Sequence, residues 1–347
     1  MKFYESDNIY IDNSLSVKKM QETNFRGQIY GTAMKEKIDL LDRKILYILS
    51  NNTRFAHVSI ANKLRIKREV VAYRIKKLIE RKIINGFFTY INPRRLGFTV
   101  IAVYLKLKNV SNEKEIVKYI IENKYITHAQ NCSGRYDLML EISVKEIDQF
   151  DICFSDFLRN FLNYVENYDI FFYLDSSYLG RGILLDNIDE RKQLDALIEL
   201  KGSSFSKEFI ANNHNNAFLE ITEIDKNILE TIKFDSSENI IDIAKEVNCS
   251  PKTVMSRMSF LVKENVIKQF LPLINFSPFG FHWYVLFLQM VTVDEKKLIT
   301  FLRMHPNILY YGKYIGKWNY KVSIFAEDNF QFQQIVNEIK DVFKDNI

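Results

Sequence analysis

The sequence predicts an α+β protein made by internal duplication, with two winged helix-turn-helix units and two ferredoxin-like βαββαβ units. Shifted by 183 positions, residues 42–98 align with 225–281 without a gap and with 14 identities in 57 positions. Further on the offset falls to 182, and the GRYD of residues 134–137 meets the GKWN of residues 316–319, so the repeat extends beyond the first unit of each half. Within each copy the apolar spacing changes from helical to strand-like. A period this long is the fusion of two whole modules, because solenoid units run only ~20–50 residues.

Residues 1–36 read as an N-terminal extension. The first unit, 37–92, reads as three helices and a hairpin. Helix one opens with Asp39 and Asp42, repeated as Thr222 and Asp225, a capping residue with an acid three positions on. Its apolar face is Leu41, Ile45, Leu46 and Leu49. The second helix is short, at 59–64 and again at 240–247, with an Ile-Ala pair in the same place in both copies. The third runs over 68–81 on the stripe Val71, Ile75 and Leu78, repeated as Val254, Met258 and Leu261. In the second copy Ser250-Pro251 marks its start, a cap followed by proline where no donor is lost. A short helix, a tight turn and a longer helix make a helix-turn-helix.

The second unit, 93–180, reads as strands at 100–107, 126–131, 138–144 and 169–174 with helices at 113–122 and 147–161, the ferredoxin-like order. Residues 181–218 read as a helix, with Leu194, Leu197 and Ile198 on one face, and a Gly/Ser/Asn-rich linker. The second helix-turn-helix unit occupies 219–275 and the second α/β unit 276–347. That last unit shows a strand at 283–291, helix at 295–304, strands at 308–315 and 320–325 and a helix at 330–343. Its fourth strand is expected to be missing, and an open edge invites pairing. Residues 3–11 are the segment expected to fill it.

A hydrophobic fraction of 47% with 26% charged residues is that of an ordinary globular protein. The longest apolar stretch is strand-length, short of the ~20 residues of a membrane span, and no signal segment opens the chain. Cys132, Cys153 and Cys249 are far apart and odd in number, which argues against a disulfide framework or a cysteine zinc site and for a reducing, cytoplasmic setting. His128 and Cys132 are four apart, a two-ligand pattern too weak to imply a metal. With no glycine-rich phosphate loop, nucleophile elbow or His-x-x-x-His spacing, no enzyme is expected.

Charge separates the two helix-turn-helix units. Residues 37–92 hold 13 Lys+Arg against 4 Asp+Glu, 13 − 4 = +9, whereas residues 220–275 hold 7 against 9, or −2. Clustered cations of this kind bind phosphates by releasing counterions, so double-stranded DNA is the expected partner, gripped mainly by the first unit. Off the apolar stripe of the third helix lie Lys67, Arg68, Glu69, Ala72, Tyr73 and Lys76, the candidates for base edges. Arg68 suits a bidentate guanine contact and Glu69 a cytosine amine, while Arg54, Arg74, Lys77, Arg81 and Lys82 are assigned to phosphates. Lys252, Ser256, Arg257 and Ser259 are their counterparts in the second unit. The bland alternative is a solvated basic helix face.

The helix-turn-helix pattern, the Ile83-Ile84-Asn85-Gly86-Phe87 exit, Asn92-Pro93 with Leu96-Gly97, and the GRYD turn together resemble the leucine-responsive regulatory protein and AsnC (Lrp/AsnC) family of regulators. The resemblance covers 38–179 and 221–343. It implies a sequence-specific DNA-binding transcriptional regulator whose α/β (RAM-type) domain dimerises through its sheet and binds a small effector, such as an amino acid, between subunits. On that resemblance Gly134, Tyr136 and Asp137 border the effector pocket, Asp137 facing an ammonium group, with Gly316, Trp318 and Asn319 in the second half. Trp318 and Asn319 depart from the family's Tyr and Asp. A turn between strands also accounts for the two glycines. The duplication then makes one chain a pseudo-dimer, its two α/β units packed sheet to sheet and open to further self-association. Siroheme decarboxylase, whose paired subunits are similar to this family, is the enzyme alternative; its segment rich in Arg and His reads here Asn92-Pro93-Arg94-Arg95-Leu96-Gly97, without histidine.

Overall fold

In the computed structural model, which describes residues 38–108, 113–200 and 216–346, each half begins with three helices. Those of the first half are α1 (Leu40–Asn51), α2 (His57–Leu64) and α3 (Arg68–Glu80). Asp39 caps α1 by accepting the Asp42 amide at 2.8 Å. α2 begins two residues earlier than its apolar pattern indicates, and Arg65, at φ 55°, makes the turn into α3. Ile45, Leu46, Ile60, Val71 and Leu78 meet in a core closed to solvent. Burying each such side chain stabilises the unit by about 2 kcal/mol.

The expected hairpin after the third helix is not there. One strand follows α3, β1 (Ile84–Ile91), and its partner comes from the other half of the chain. The second half repeats the arrangement with α7 (Glu223–Ile232), α8 (Ile240–Glu246), α9 (Pro251–Lys263) and β6 (Ile267–Ile274). β1 and β6 pair antiparallel, Ile84 opposite Ile274 and Ile91 opposite Ile267. Under the 183-residue shift Ile84 is Ile267 and Ile91 is Ile274, so the pairing maps onto itself, as a twofold axis requires. Thr53 and its own counterpart Ser236 meet close to that axis, their buried hydroxyls 2.7 Å apart. A lone strand leaves its backbone donors and acceptors without partners, and the duplicated copy supplies them.

Beyond the seam, β2 (Thr99–Leu107), α4 (Glu113–Glu122), β3 (Ile126–Asn131), β4 (Leu138–Val144), α5 (Ile147–Phe161) and β5 (Val165–Tyr178) form the first α/β unit. The second has β7 (His282–Leu288), α10 (Glu295–Met304), β8 (Ile308–Ile315), β9 (Tyr320–Ala326) and α11 (Asn329–Val342). All seven strands join one sheet in the order β3-β4-β2-β5-β8-β9-β7. β5 makes the join: it pairs with β2 through Phe172 and then with β8 from Phe172 to Tyr178. This second task explains why it runs to 14 residues, well past the apolar 169–174 visible in sequence. The sheet also curls until its inner faces touch, with Phe287 of β7 edge-on to Tyr104 of β2 at 5.0 Å.

Among the described residues the fourth strand of the second unit is absent, and β7 ends the sheet. The effect on burial is plain from its counterpart: β2, paired on both sides, is buried from Val100 to Leu105, while β7 is half-buried from Trp283 to Phe287. Residues 3–11, expected to fill this edge, lie outside the described residues.

The residues between the halves do more than link them. α6 (Ile188–Leu200) buries Leu194 and Ile198 in the core of the first helix-turn-helix unit. Tyr47 donates to Asp195 at 2.8 Å and Lys44 pairs with Glu190 at 3.1 Å. On the other side, Arg95 donates to the carbonyls of Glu264 at 2.8 Å and Ala217 at 2.6 Å and pairs with the Glu264 carboxylate at 3.1 Å. Each helix-turn-helix unit is thereby braced by residues from outside it.

Two repeated identities prove to be one interaction. Arg257 grips Asp225 through two bonds of 2.7 and 2.5 Å, tying the third helix to the first, and Asp225 is fully buried. In the first copy Arg74 bonds Asp42 at 3.1 Å and also pairs with Asp39. Burial pushes the Asp225 carboxyl up, but the Arg257 and Thr222 hydrogen bonds outweigh it and hold it below its ordinary value. This latch therefore stabilises above the unfolded carboxylate range and is lost as pH falls through the lowered folded value. Arg257→Met is expected to cost about 2 kcal/mol at pH 7, with the loss shrinking in strong acid as Asp225 protonates. Denaturant melts at both pH values measure this, and an unchanged midpoint at pH 7 rejects the latch.

Candidate nucleic-acid interface

α3 presents the outward face expected of a reading helix. Lys67, Arg68, Glu69, Tyr73, Lys76 and Lys77 are exposed, Tyr73 to 60%, and Ala72 is half-buried. Lys67 occupies the capping position without a side-chain bond to the helix. Two cations, Lys67 and Arg68, thus stand at the positive end of the helix dipole, where they oppose it. A phosphate or other anion there would answer both. In the second copy the same place holds Ser250, which accepts the Thr253 amide at 3.1 Å, an ordinary cap with no cation. Lys252 and Ser256 are exposed beyond it and Ser259 is half-buried.

Three arginines assigned to DNA face inward instead. Arg74 and Arg257 are the latches to Asp42 and Asp225. Arg54 donates to the Ser236 carbonyl at 2.9 Å and lies over the Phe270 ring at 5.6 Å, in the seam between the two units. Burial there draws its guanidinium down to about 10. Arg81 is partly engaged, 3.8 Å from Asp42. Lys77 pairs with Glu80 at 2.7 Å on the open surface, an arrangement weak enough for a phosphate to displace. Lys82 is exposed at φ 57° in the turn that ends α3. Arg65, exposed in the turn before α3, was absent from the sequence-based set. Its position between the two helices of the motif was the available signal.

The effector candidates have structural duties. The Asp137 carboxylate accepts the Leu107 amide at 2.8 Å and pairs with Lys106 at 3.1 Å, and its backbone bonds Leu105 and Cys132. Asn319 repeats this: its side chain accepts the Met290 amide at 2.8 Å and donates to the Met290 carbonyl at 2.6 Å, while its backbone bonds Leu288 and Tyr314. Asp137, expected to face an ammonium group, and Asn319 each hold a strand-to-strand turn. The amide of Asn319 satisfies the Met290 carbonyl directly, and the second half needs no counterpart of Lys106. Gly134, at φ 112°, turns in open space. Gly316 abuts β5, where an added Cβ would come within 2.7 Å of the Phe171 ring. The two turns approach each other, since Arg135 covers both the Tyr136 ring at 5.4 Å and the Trp318 ring at 5.9 Å. Tyr136 donates to Asp169 at 2.6 Å. Among the described residues no three His, Cys, Asp or Glu stand together as a metal would require, and no helix is long and apolar enough to cross a membrane.

Two helix-turn-helix units, one strongly basic with a cationic helix end, define a DNA-binding protein. Comparison with known proteins agrees: a family model described as the AsnC-type helix-turn-helix domain matches residues 38–79, and one for winged helix-turn-helix DNA-binding matches 221–268. The chain is 34% identical to the HTH-type transcriptional regulator Ptr1 of Methanocaldococcus jannaschii, over 32% of its own length and 75% of that protein's. It is 25% identical to the HTH-type transcriptional regulator LrpB of Bacillus subtilis, over 35% of its length and 83% of the relative's. The siroheme decarboxylase NirDL shares its fold over 89% of this chain and 88% of that one, at a TM-score of 0.54 and 13% identity. The chain belongs to the Lrp/AsnC family and is a DNA-binding transcriptional regulator of that type.

Replacing Asp137 by Asn, the residue of the second half, is expected to cost under about 1 kcal/mol, and by Ala about 2 kcal/mol, because only Ala leaves the Leu107 amide unsatisfied. Thermal melts of the two variants check the ranking. Lys77→Ala should flatten the salt dependence of DNA binding by about one phosphate contact, whereas Arg54→Met should leave that slope unchanged and lower stability.

Proposed function

We propose that the chain acts as a pre-assembled dimer, reading an asymmetric operator mainly through α3, with α9 making the weaker contact. The uncapped, doubly cationic start of α3 carries this reading, because it is costly for the helix and suited to DNA. Lys67, Arg68, Glu69, Tyr73 and Lys76 face base edges, and Arg65, Lys77, Lys82 and part of Arg81 face phosphates. Lys252 and Ser256 are the candidates on α9. Division into units at 37–92, 93–180, 219–275 and 276–347, with α6 as a brace, is part of the proposal. So are a cytoplasmic setting, a small effector at the interface of the α/β units, and further self-association through them. The chain is read as a regulator without catalytic activity. For the alternative, a tetrapyrrole enzyme, there is the fold likeness to NirDL, but Arg94 already donates to the Leu174 carbonyl at 2.9 Å and Arg95 holds Glu264.

Selection from a random DNA library across a salt series tests the proposal. One asymmetric motif is expected, its contacts spaced by about one helical turn, roughly 34 Å, if both units engage. Arg68→Ala should weaken binding by about 1–3 kcal/mol and relax the choice of one base pair. A palindromic preferred motif, or no change on Arg68→Ala, overturns the assignment.

A further inference from the structure

The described seven-stranded sheet is one strand short of the symmetry of its two halves. The repeat shift carries β2 onto β7, β3 onto β8 and β4 onto β9, and the pairing follows it: Thr99 opposite Val144 becomes His282 opposite Ala326, and Ile126 opposite Ile142 becomes Ile308 opposite Ile324. β5 lies between β2 and β8, so its counterpart belongs between β7 and β3. Those are the two ends of the described sheet. One strand placed there joins both ends and closes the curled sheet into a barrel, the arrangement that abolishes edges.

The edge at β7 carries none of the devices that keep a strand from pairing: it has no proline and no lysine, and its register with β9 is unbroken by a bulge. On it the Trp283 indole N–H is shielded from solvent without an acceptor. The sequence holds a second copy of the strand that this edge lacks. Shifted by 163 positions, residues 9–15, Ile-Tyr-Ile-Asp-Asn-Ser-Leu, align with residues 172–178, Phe-Tyr-Leu-Asp-Ser-Ser-Tyr, and are identical at Tyr10, Asp12 and Ser14. Residues 172–178 are the stretch of β5 that crosses to β8. There Tyr173 is buried in the interior of the curled sheet, opposite Tyr314, and Asp175 pairs with Lys268 at 2.6 Å. The counterpart of Lys268 is Asn85, which is half-buried and whose amide can donate to an aspartate.

We infer that residues 6–15 of the same chain form the strand between β7 and β3, taking in the second α/β unit the place that residues 169–178 hold in the first. The segment expected from sequence alone, 3–11, overlaps this one, but the match to β5 sets it further along the chain and fixes its register. Phe172 opposite Ile101 puts Ile9 opposite Tyr284 on β7, and Tyr173 opposite Tyr314 puts Tyr10 opposite Cys132 on β3. Tyr10 then enters the interior beside Trp283, and Asp12 comes to Asn85. The strand gives the outer backbone groups of β7 their partners. Residues 16–37 connect it to Ile38, where the described chain begins, and 22 extended residues reach up to about 70 Å, against a radius of gyration of roughly 20 Å for a compact chain of this length.

Cross-linking in the full chain reads the register directly. Residues opposite each other in an antiparallel pair stand about 4.5–5.5 Å apart at Cα, within the range of a disulfide. Tyr10→Cys, oxidised with copper phenanthroline and mapped by mass spectrometry of its peptides, is expected to join the native Cys132 of the same chain. Ile9→Cys, which the pleat turns to the other face, should leave Cys132 reduced. A bond to Cys153 or Cys249, no bond at all, or equal yields from the two variants overturns the inference. A bond to Cys132 of another chain, seen as a dimer on a non-reducing gel, overturns the assignment to the same chain and makes the occupant a second copy. Removal of residues 1–16 gives an independent reading. The melting temperature is expected to fall by about 3 °C or more and to recover on adding a synthetic peptide of residues 3–18, saturating at one per chain, but not on adding that peptide with Tyr10→Lys and Asp12→Lys. An unchanged melting temperature in the shortened chain overturns the inference, and if that chain does not fold, the cross-link in the full chain decides.

Discussion

The antiparallel pairing of β1 with β6 is the constraint on which the rest of the molecule depends. Each helix-turn-helix unit ends in a single strand whose backbone groups have no partner within the unit, and burying such groups unpaired is costly. The copy made by duplication is the partner. Because the register maps onto itself under the repeat shift, satisfying one strand satisfies the other and fixes a twofold relation between the halves. Thr53 then meets Ser236, Arg54 enters the seam, and Arg95 reaches across to Glu264. The α/β units inherit the same relation: β5 passes from one half's sheet to the other's, and the inner faces close on each other.

Within this symmetric frame the two copies have drifted apart where the frame does not depend on them. The latches between first and third helix are kept in both, because a buried aspartate without its arginine would be an uncompensated charge. The turns held by Asp137 and Asn319 keep their hydrogen bonds while exchanging an acid for an amide. By contrast, the start of the third helix is Lys-Arg in one copy, without a side-chain cap, and Ser-Pro in the other, where Ser250 caps it. A chain whose sequence relatives are transcriptional regulators shares its fold with a decarboxylase, which shows how little the shared frame dictates chemistry.

Much of the fold was legible in the sequence. The helices of both helix-turn-helix units, the ferredoxin-like order and several bounds, such as those of α4, α5, β3 and β8, follow from apolar spacing and capping residues, which act over a few positions. The basic face of α3 was legible too, because a helix shows its outward residues in its spacing. The partners of Arg54, Arg74, Arg257 and Asp137 within the fold were not legible, for one reason. A charged side chain looks the same in sequence whether its partner is solvent, DNA or a residue 32 or 182 positions away.

What the sequence by itself determined was local and periodic: which segments are helix or strand, that the chain is two copies of one plan, and that positive charge gathers on one of them. Only the tertiary structure decided that the expected hairpin is a strand pair between halves, that β5 bridges two sheets, and that α6 braces the first unit. Those features come from residues far apart in the chain, and periodicity, which reports a residue's environment over a few neighbours, carries no record of which distant surface supplies it.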